Sequence, residues 1–439
     1  MIFRQILDEA KGCASYLLGC DIFGRGCVVD PLGSVGVEEY LLRAAEFEVE
    51  IVDVFETHLH ADHRSVACEL AAAAGARLHL YAGAPVSYPH ASVQDGQELA
   101  FGSIRVRVMH TPGHTDESYS LLVWDRLRSE DEPWLVLTGD SLLAGDVARP
   151  DLVLGVPRPE AVRQRVETLY DSLWARLLTL PDWVEVYPGH FGASPCGGVH
   201  LNAKTATTIG FERRHNAACV SGDRERFARF VLSTLRPEPE DYRAVKSANA
   251  TSRPGVPLDE PAVPRGDVLP VVDLRPERAY LAAHVPGSVN RPFLRPFTPP
   301  VPLFTAVAPN GVVARAAGAV GWCRLEDWEA DGRPVDRVDQ VGLDRISDTA
   351  QLIDLRQPSE WASGLIPGAR CIPEQDMPGD LCPEGDYVLC CATGIRSAAV
   401  ARRLRGEGFL RVSSLAGGLA AWRLAGRVLR GLAGTCARR

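Results

Sequence analysis

Four side chains able to bind a metal ion fall within six residues in Thr57-His58-Leu59-His60-Ala61-Asp62-His63. Imidazole is the commonest transition-metal ligand, so this stretch reads as metal chemistry. Three further motifs carry the same residue types: His110-Thr111-Pro112-Gly113-His114-Thr115, Thr138-Gly139-Asp140 and Pro188-Gly189-His190. Glycine and proline beside a ligand suit tight turns that fix where its side chain points. Far downstream, Cys391-Ala392-Thr393-Gly394-Ile395-Arg396-Ser397 offers a different chemistry, that of a nucleophilic sulfur. A cysteine opening a loop that runs into a helix start is favoured as thiolate by loop N–H groups, the helix dipole and Arg396, which lower a thiol pKa from about 8.5. Gly394 lets the backbone curl around the sulfur, and Ser397 suits the helix N-cap. Cys390, one residue earlier, is expected to point into the core.

These residues need elements that bring them together. The apolar run Val49 to Phe55 predicts a buried strand, which sets the histidine motif on the loop at its C-terminal end. Ile104 to Val108 alternates as a half-buried strand ahead of His110 and His114, Trp134 to Leu137 leads into Asp140, and Trp183 to Tyr187 leads into His190. Ligands at four strand ends can meet at one sheet edge. His110, next to its strand end, is as readily a hydrogen-bonded structural histidine. In the C-terminal part, Tyr387 to Cys390 predicts a short strand and Ala398 to Arg405 an amphipathic helix flanking the cysteine loop.

A chain of 439 residues is too long for one ordinary core and predicts two to three domains. Nine of the eleven histidines fall between His58 and His200, so residues 1–250 are expected to form the metal domain. Ser247 to Pro264, rich in Pro, Ser, Ala and Asn, reads as a linker. Two similar segments follow. Val271-Val272-Asp273-Leu274-Arg275 with Pro286-Gly287 recurs as Leu352-Ile353-Asp354-Leu355-Arg356 with Pro367-Gly368, an internal duplication. The net charge of −9 argues against a nucleic-acid or anionic-membrane partner. Met1 to Lys11 holds no apolar core of signal-peptide length and no run approaches a membrane span, so a cytoplasmic location is expected. The twelve cysteines lack framework spacing and are expected to be free thiols.

The set His58, His60, Asp62, His63, His114, Asp140 and His190 resembles the metallo-beta-lactamase fold family, over roughly residues 1 to 245. The resemblance implies an α/β fold, an αββα sandwich with its site at the edge between two sheets. Two chemistries fit. With two zinc ions, His58, His60 and His114 would hold one and Asp62, His63 and His190 the other, bridged by Asp140, as in glyoxalase II type thioester hydrolases. With one ferrous ion, Fe(II), His58, His114 and Asp140 would form a two-histidine, one-carboxylate triad, with His60, Asp62, His63 and His190 orienting it. The wording of 139–152, 187–198 and 208–216 resembles the persulfide dioxygenase branch of that family. That branch implies iron in the triad and a thiol persulfide, such as glutathione persulfide, oxidised by O2 to sulfite and thiol. Arg149, Arg213 and Arg214 are candidate partners for substrate carboxylates. Cys196 is either functional or a small residue packed beside the site.

The cysteine loop, with Asp354-Leu355-Arg356, Glu360-Trp361, Ile366-Pro367-Gly368-Ala369 and Leu415 to Trp422, resembles the rhodanese sulfurtransferases over about residues 345 to 428. The resemblance implies Cys391 as carrier of a persulfide, assisted by Arg396, exchanging sulfur with thiosulfate, sulfite or a thiol. The first copy has no cysteine between Gly255 and Trp322, and the strand and loop that should carry one are not recognisable. Cys323 sits too late to serve. The expectation is therefore an α/β chain of three domains: residues 1–250 a metallo-beta-lactamase-fold persulfide dioxygenase, 255–342 a shortened, inactive rhodanese-like domain and 345–435 an active one. A homo-oligomer is compatible with it. The alternatives are a binuclear zinc thioester hydrolase with an appended rhodanese, and a sulfur carrier or redox-sensing module whose metal is structural.

Overall fold

The run ahead of the histidine motif forms the strand Glu50–Phe55, hydrogen-bonded on both sides within a six-stranded sheet. The computed structural model describes residues 1–152, 158–192, 194–235, 238–251 and 269–431. It divides into two units, Met1–Pro257 and Leu258–Arg439.

In the first unit, one sheet runs in sequence order through β1 (Ile2–Asp8), β2 (Cys13–Cys20), β3 (Arg25–Val29), β4 (Glu50–Phe55), β5 (Arg77–Tyr81) and β6 (Ala91–Val93). The other contains β7 (Glu98–Phe101), β8 (Ile104–His110), β9 (Tyr119–Asp125) and β10 (Leu135–Gly139). After the hairpin β11 (Leu142–Leu143) and β12 (Asp146–Val147), it gains β13 (Glu185–Pro188) and β14 (Thr207–Thr208), in the order β14-β13-β10-β9-β8-β7. Strand β9 shows how the layers assemble. Its side chains alternate, so Leu121 and Val123 join the core between the sheets with Tyr16, Leu18 and Phe55, while Leu122 and Trp124 face Val166, Leu169 and Phe227. Those last three belong to α3 (Pro159–Trp174) and α5 (Arg224–Ser233), with α4 (Ile209–His215) between them in sequence. Ahead of these, α1 (Val37–Glu46) and α2 (Ala67–Ala74) pack against β4 of the first sheet. The result is the expected αββα sandwich. Because β8 and β10 each run antiparallel to β9, and β10 runs parallel to β13, the C-terminal ends of β8, β10 and β13 emerge at one edge. The Tyr119 N–H donates to Thr57 O at 3.0 Å, which brings the end of β4 to the same edge.

One sequence expectation fails at the end of this unit. Ser247 to Ala250 is not linker but the last turn of α6 (Tyr242–Ala250); residues 252–264 of the expected linker lie outside the described residues. Composition misleads here, since Ser and Asn are loop-rich residues, whereas Tyr242, Lys246 and Asn249 share the buried face of the helix.

The second unit holds two parallel sheets. The first has the order β17-β15-β18-β19, built from β15 (Val271–Asp273), β17 (Val289–Asn290), β18 (Thr305–Val307) and β19 (Gly321–Cys323). β16 (Ala283–His284) pairs separately with β20 (Asp336–Arg337). The second sheet, order β21-β25-β24-β22-β23, comprises β21 (Gln340–Val341), β22 (Gln351–Asp354), β23 (Arg370–Cys371), β24 (Asp386–Cys390) and β25 (Arg411–Leu415). The helices are α7 (Glu277–Ala282), α8 (Gly311–Ala316), α9 (Leu325–Ala330), α10 (Ile395–Gly406) and α11 (Gly418–Leu424). Asp273 pairs in register with Val307 as Asp354 does with Cys390. Leu274 N donates to Val307 O and Leu355 N to Cys390 O, both at 2.8 Å. Each Asp-Leu-Arg closes the same ion pair, Arg275 on Asp273 and Arg356 on Asp354. The strand and loop that are not recognisable in the sequence of the first copy are β18 and residues 308–310, and by this register Ala308 stands where Cys391 does in the second. A three-residue strand hemmed by prolines carries too little periodicity to be read from sequence. The C-terminal stretch 432–439, including the expected boundary at 435, lies outside the described residues. No helix among the described residues is long and apolar enough to cross a membrane, and none of the eleven described cysteines is in a disulfide.

Candidate metal centre and cysteine loop

Ligand atoms of His58, His114 and Asp140 lie within 4.8 Å of one another, and all three residues are buried. Asp140 Oδ2 is 3.4 Å from His114 Nε2 and 3.7 Å from His58 Nε2. Donors at about 2.1 Å from one ion sit about 3.0 to 3.4 Å apart, so the three fit a single ion with little adjustment. His58 Nε2 and Asp140 Oδ2 are buried with no hydrogen-bond partner among the described residues, a costly state that a cation would relieve.

The tautomers follow from the partners. Thr57 Oγ1 donates to Asp30 Oδ2 at 2.8 Å, so its lone pair accepts the Nδ1–H of His58 at 3.0 Å and leaves Nε2 bare. The Nδ1–H of His114 likewise donates to Arg149 O at 2.8 Å. Burial holds both imidazoles below their ordinary pKa, with the neighbouring His60 adding to the effect at His58, and neutral imidazole is the form that binds metal. Burial works against ionising Asp140, but His190 and His58 outweigh it and hold its carboxyl well below the usual range. Gly139, at φ +49°, lets the backbone pass Thr57, since a Cβ there would meet Thr57 Oγ1 at 2.6 Å.

The remaining motif residues surround this triad. His60 Nε2 faces Asp30 Oδ1 at 3.2 Å, and Asp30, His60 and Glu56 form a cluster of their own. His190 spans two carboxylates, Nδ1 to Asp140 Oδ1 at 2.6 Å and Nε2 to Asp62 Oδ2 at 2.7 Å. Against burial, those two charges push its pKa well up. Asp62 also meets His63 Nδ1 at 3.1 Å and the Cys13 thiol at 3.2 Å. Burial again opposes, but Asp62 raises His63 to about 10. Asn249 of α6 ties the loop from the far end of the unit, donating to the carbonyls of His60 at 3.0 Å and His63 at 2.9 Å.

The candidate substrate arginines are placed differently. The Arg149 guanidinium is buried and chelates Asp151 at 2.8 and 2.7 Å, so what it lends the centre is its carbonyl. Arg213 and Arg214 both pair with Asp182, and Arg213 also donates to Leu178 O and Leu180 O. They sit on α4, whose first N–H bonds Val184 at the start of β13, the end opposite His190. A substrate role at the triad does not fit these two. Cys196 is fully buried, packed with Ala61, Leu152 and Tyr242, and burial pushes its thiol well up. His110 stacks on Tyr81 with centroids 4.0 Å apart, a structural arrangement.

In the second unit, Cys391 follows β24 directly and is buried. The Gly394 N–H donates to its Sγ at 3.2 Å, and Ser397 Oγ lies 3.6 Å away. Ser397 is not the N-cap. Gly394 is, at φ +94°, and Ser397, a turn inside α10, bonds Gly394 O and Ser414 instead. Arg396 is held by Glu360 through two bonds of 2.8 and 2.7 Å. That contact lowers Glu360 to about 2. Cys390 points into the core with Val388, Leu415 and Trp422, as expected.

Sequence reasoning missed Asp30, Cys13 and Asn249. Asp30 carried a usable signal, a carboxylate directly after the apolar run Cys27-Val28-Val29; the other two carry none locally.

The comparisons with known proteins agree with this architecture. Residues 340–425 match the family model described as rhodanese-like domain, near the expected 345 to 428. The bovine mitochondrial persulfide dioxygenase ETHE1 is 24% identical over 252 residues, 57% of this chain and 87% of that protein. A hydroxyacylglutathione hydrolase from Polaromonas is 30% identical over 182 residues, 40% of this chain and 61% of that protein. A solved metallo-beta-lactamase from Staphylococcus aureus, 26% identical, covers 73% of this chain and 98% of its own with a TM-score of 0.53. The chain therefore joins a metallo-beta-lactamase-fold half, related to the persulfide dioxygenases, to a C-terminal rhodanese-like domain.

Proposed function

We propose that the first half oxidises a low-molecular-weight thiol persulfide with O2 to sulfite and thiol, using one ferrous ion held by His58, His114 and Asp140. The observation that carries this reading is the grouping of those three ligand atoms with bare Nε2 and Oδ2 positions, while both nitrogens of His190 are already bonded to carboxylates. An ion bound by two histidines and one carboxylate keeps positions open for a sulfur ligand and dioxygen. The protein's own part is orientation: Asp30 and Thr57 set the tautomer of His58, the Arg149 carbonyl that of His114, and His190 the pose of Asp140.

The C-terminal domain, on this reading, transfers sulfane sulfur. The Cys391 thiolate attacks the outer sulfur of a donor, the donor's S–S bond breaks, and the thiol or sulfite leaves with the electron pair. An acceptor then takes the terminal sulfur and returns the thiolate. Gly394 N–H and Ser397 Oγ are the donors to the sulfur. Residues 255–342 are read as an inactive rhodanese-like domain, since Ala308 offers no nucleophile. The domain division 1–250, 255–342 and 345–435 belongs to the same proposal. A persulfide is substrate for one chemistry and intermediate for the other, and tethering raises its effective concentration.

The test is sulfite formation from glutathione persulfide by iron-loaded protein. It should be lost in His114→Ala and kept in Cys391→Ala, which in turn loses sulfur transfer from thiosulfate. A second reading, a binuclear thioester hydrolase, draws on the bare Asp62 Oδ1 and His63 Nε2 beside His190; hydrolysis of a glutathione thioester by zinc-loaded protein would support it.

A further inference from the structure

Arg149, Arg213 and Arg214 have carboxylate partners, but one buried cation has none at ion-pair distance among the described residues. Lys246 of α6 is only 4% exposed, and its Nζ donates to Leu152 O at 2.9 Å with no carboxylate at ion-pair distance among the described residues. A buried ammonium satisfied by a single neutral carbonyl is unfavourable unless an anion joins it.

Its position follows from the residues on either side along the same helix face. One turn earlier, Tyr242 packs against Ala61 of the histidine motif and against Leu152 and Cys196. Three residues later, Asn249 grips the carbonyls of His60 and His63. Lys246 lies between them on that face, beside the metal loop, and after burial its charge adds to the lowering of the His114 pKa. Glu117, the first carboxylate to act on it, already accepts the Leu59 N–H at 3.0 Å.

We propose that Lys246 is the anion subsite of the first centre and takes a carboxylate of the thiol persulfide. This rests on the persulfide reading and names the class of thiol: one bearing a carboxylate, as glutathione does. Its ammonium would donate one or both remaining hydrogens to that carboxylate while Leu152 O keeps the third. Such a charge-assisted bond governs substrate binding and hence KM, since the group lies away from the reacting sulfur.

The experiment uses full-length, iron-loaded protein as wild type, Lys246→Met and Lys246→Arg. The substrates are glutathione persulfide and the persulfide of 2-mercaptoethanol, which carries no carboxylate. In Lys246→Met the ratio of the two KM values should rise about tenfold or more, and Lys246→Arg should restore most of it. Calorimetry of glutathione binding should weaken by a similar factor. An unchanged ratio with unchanged glutathione binding overturns the proposal. So does a variant in which inhibition by sulfite weakens while the ratio stays, because the anion would then be the product oxyanion. Absence of oxygen uptake by the wild type would instead refute the persulfide reading, and the glutathione calorimetry would still judge Lys246.

Discussion

Asp30→Asn tests the hydrogen-bond relay that sets the metal-binding tautomer of His58, while also removing the charge that faces His60. Asp30 accepts the Thr57 N–H at 2.7 Å and the Thr57 hydroxyl at 2.8 Å. Asparagine has the same shape and tolerates the left-handed backbone at this position, φ 50°. Its single carbonyl oxygen can keep the Thr57 N–H, which leaves its NH2 facing the hydroxyl. The hydroxyl must then accept, its proton turns to His58 Nδ1, and the imidazole proton is driven to Nε2, the nitrogen that faces Asp140. Loss of a supporting contact of this kind lowers metal affinity about 10- to 100-fold, equal to about 1.4 to 2.8 kcal/mol. Metal-free stability should fall less, by about 1 to 2 kcal/mol, because the buried N–H stays paired. Asp30→Ala removes that acceptor and puts a Cβ-bearing residue without a local bond into the left-handed region, for about 2 to 5 kcal/mol together. Chelator competition gives the affinity and urea unfolding the stability. If Asp30→Asn bound metal within twofold of wild type, the relay would have no part in the site.

Two further outcomes test the second unit. Gly418 has φ +54°, and a Cβ there would meet Cys391 O at 2.4 Å and Gly394 N at 2.8 Å. Gly418→Ala should therefore displace the cysteine loop and cut sulfur transfer about tenfold or more without altering oxygen uptake; normal transfer would contradict the geometry. Glu360 is depressed from 4.5 to about 2, chiefly by its bond to Arg396. A depressed carboxylate contributes stability above its unfolded pKa and loses it as pH falls from 4.5 towards about 2. The stability gap between wild type and Glu360→Gln, read from urea midpoints, should thus be open at pH 7 and narrow below pH 4.5; a gap constant with pH would refute the pairing.

What could be read from sequence was whatever is written locally. Each ligand follows an apolar strand, so β4, β8, β10 and β13 and the convergence of His58, His114 and Asp140 were all foreseeable from alternation and turn residues. The supports were not, because they come from far along the chain. Asn249 reaches the motif across nearly two hundred residues and sits in a stretch whose Ser and Asn content imitates a linker. Cys13 stands against Asp62 because β2 bridges to His190, a pairing with no sequence pattern. Arginine near a site suggested substrate binding, but Asp151 and Asp182 had already taken the three that were named.

The most direct test of the account is metal analysis of protein purified without oxygen, followed by oxygen uptake on glutathione persulfide. The account predicts one iron per chain bound at the triad and one O2 consumed per sulfite formed, with both lost in Asp140→Ala. Two zinc ions per chain, no oxygen consumption by iron-loaded protein and turnover of a glutathione thioester would contradict it.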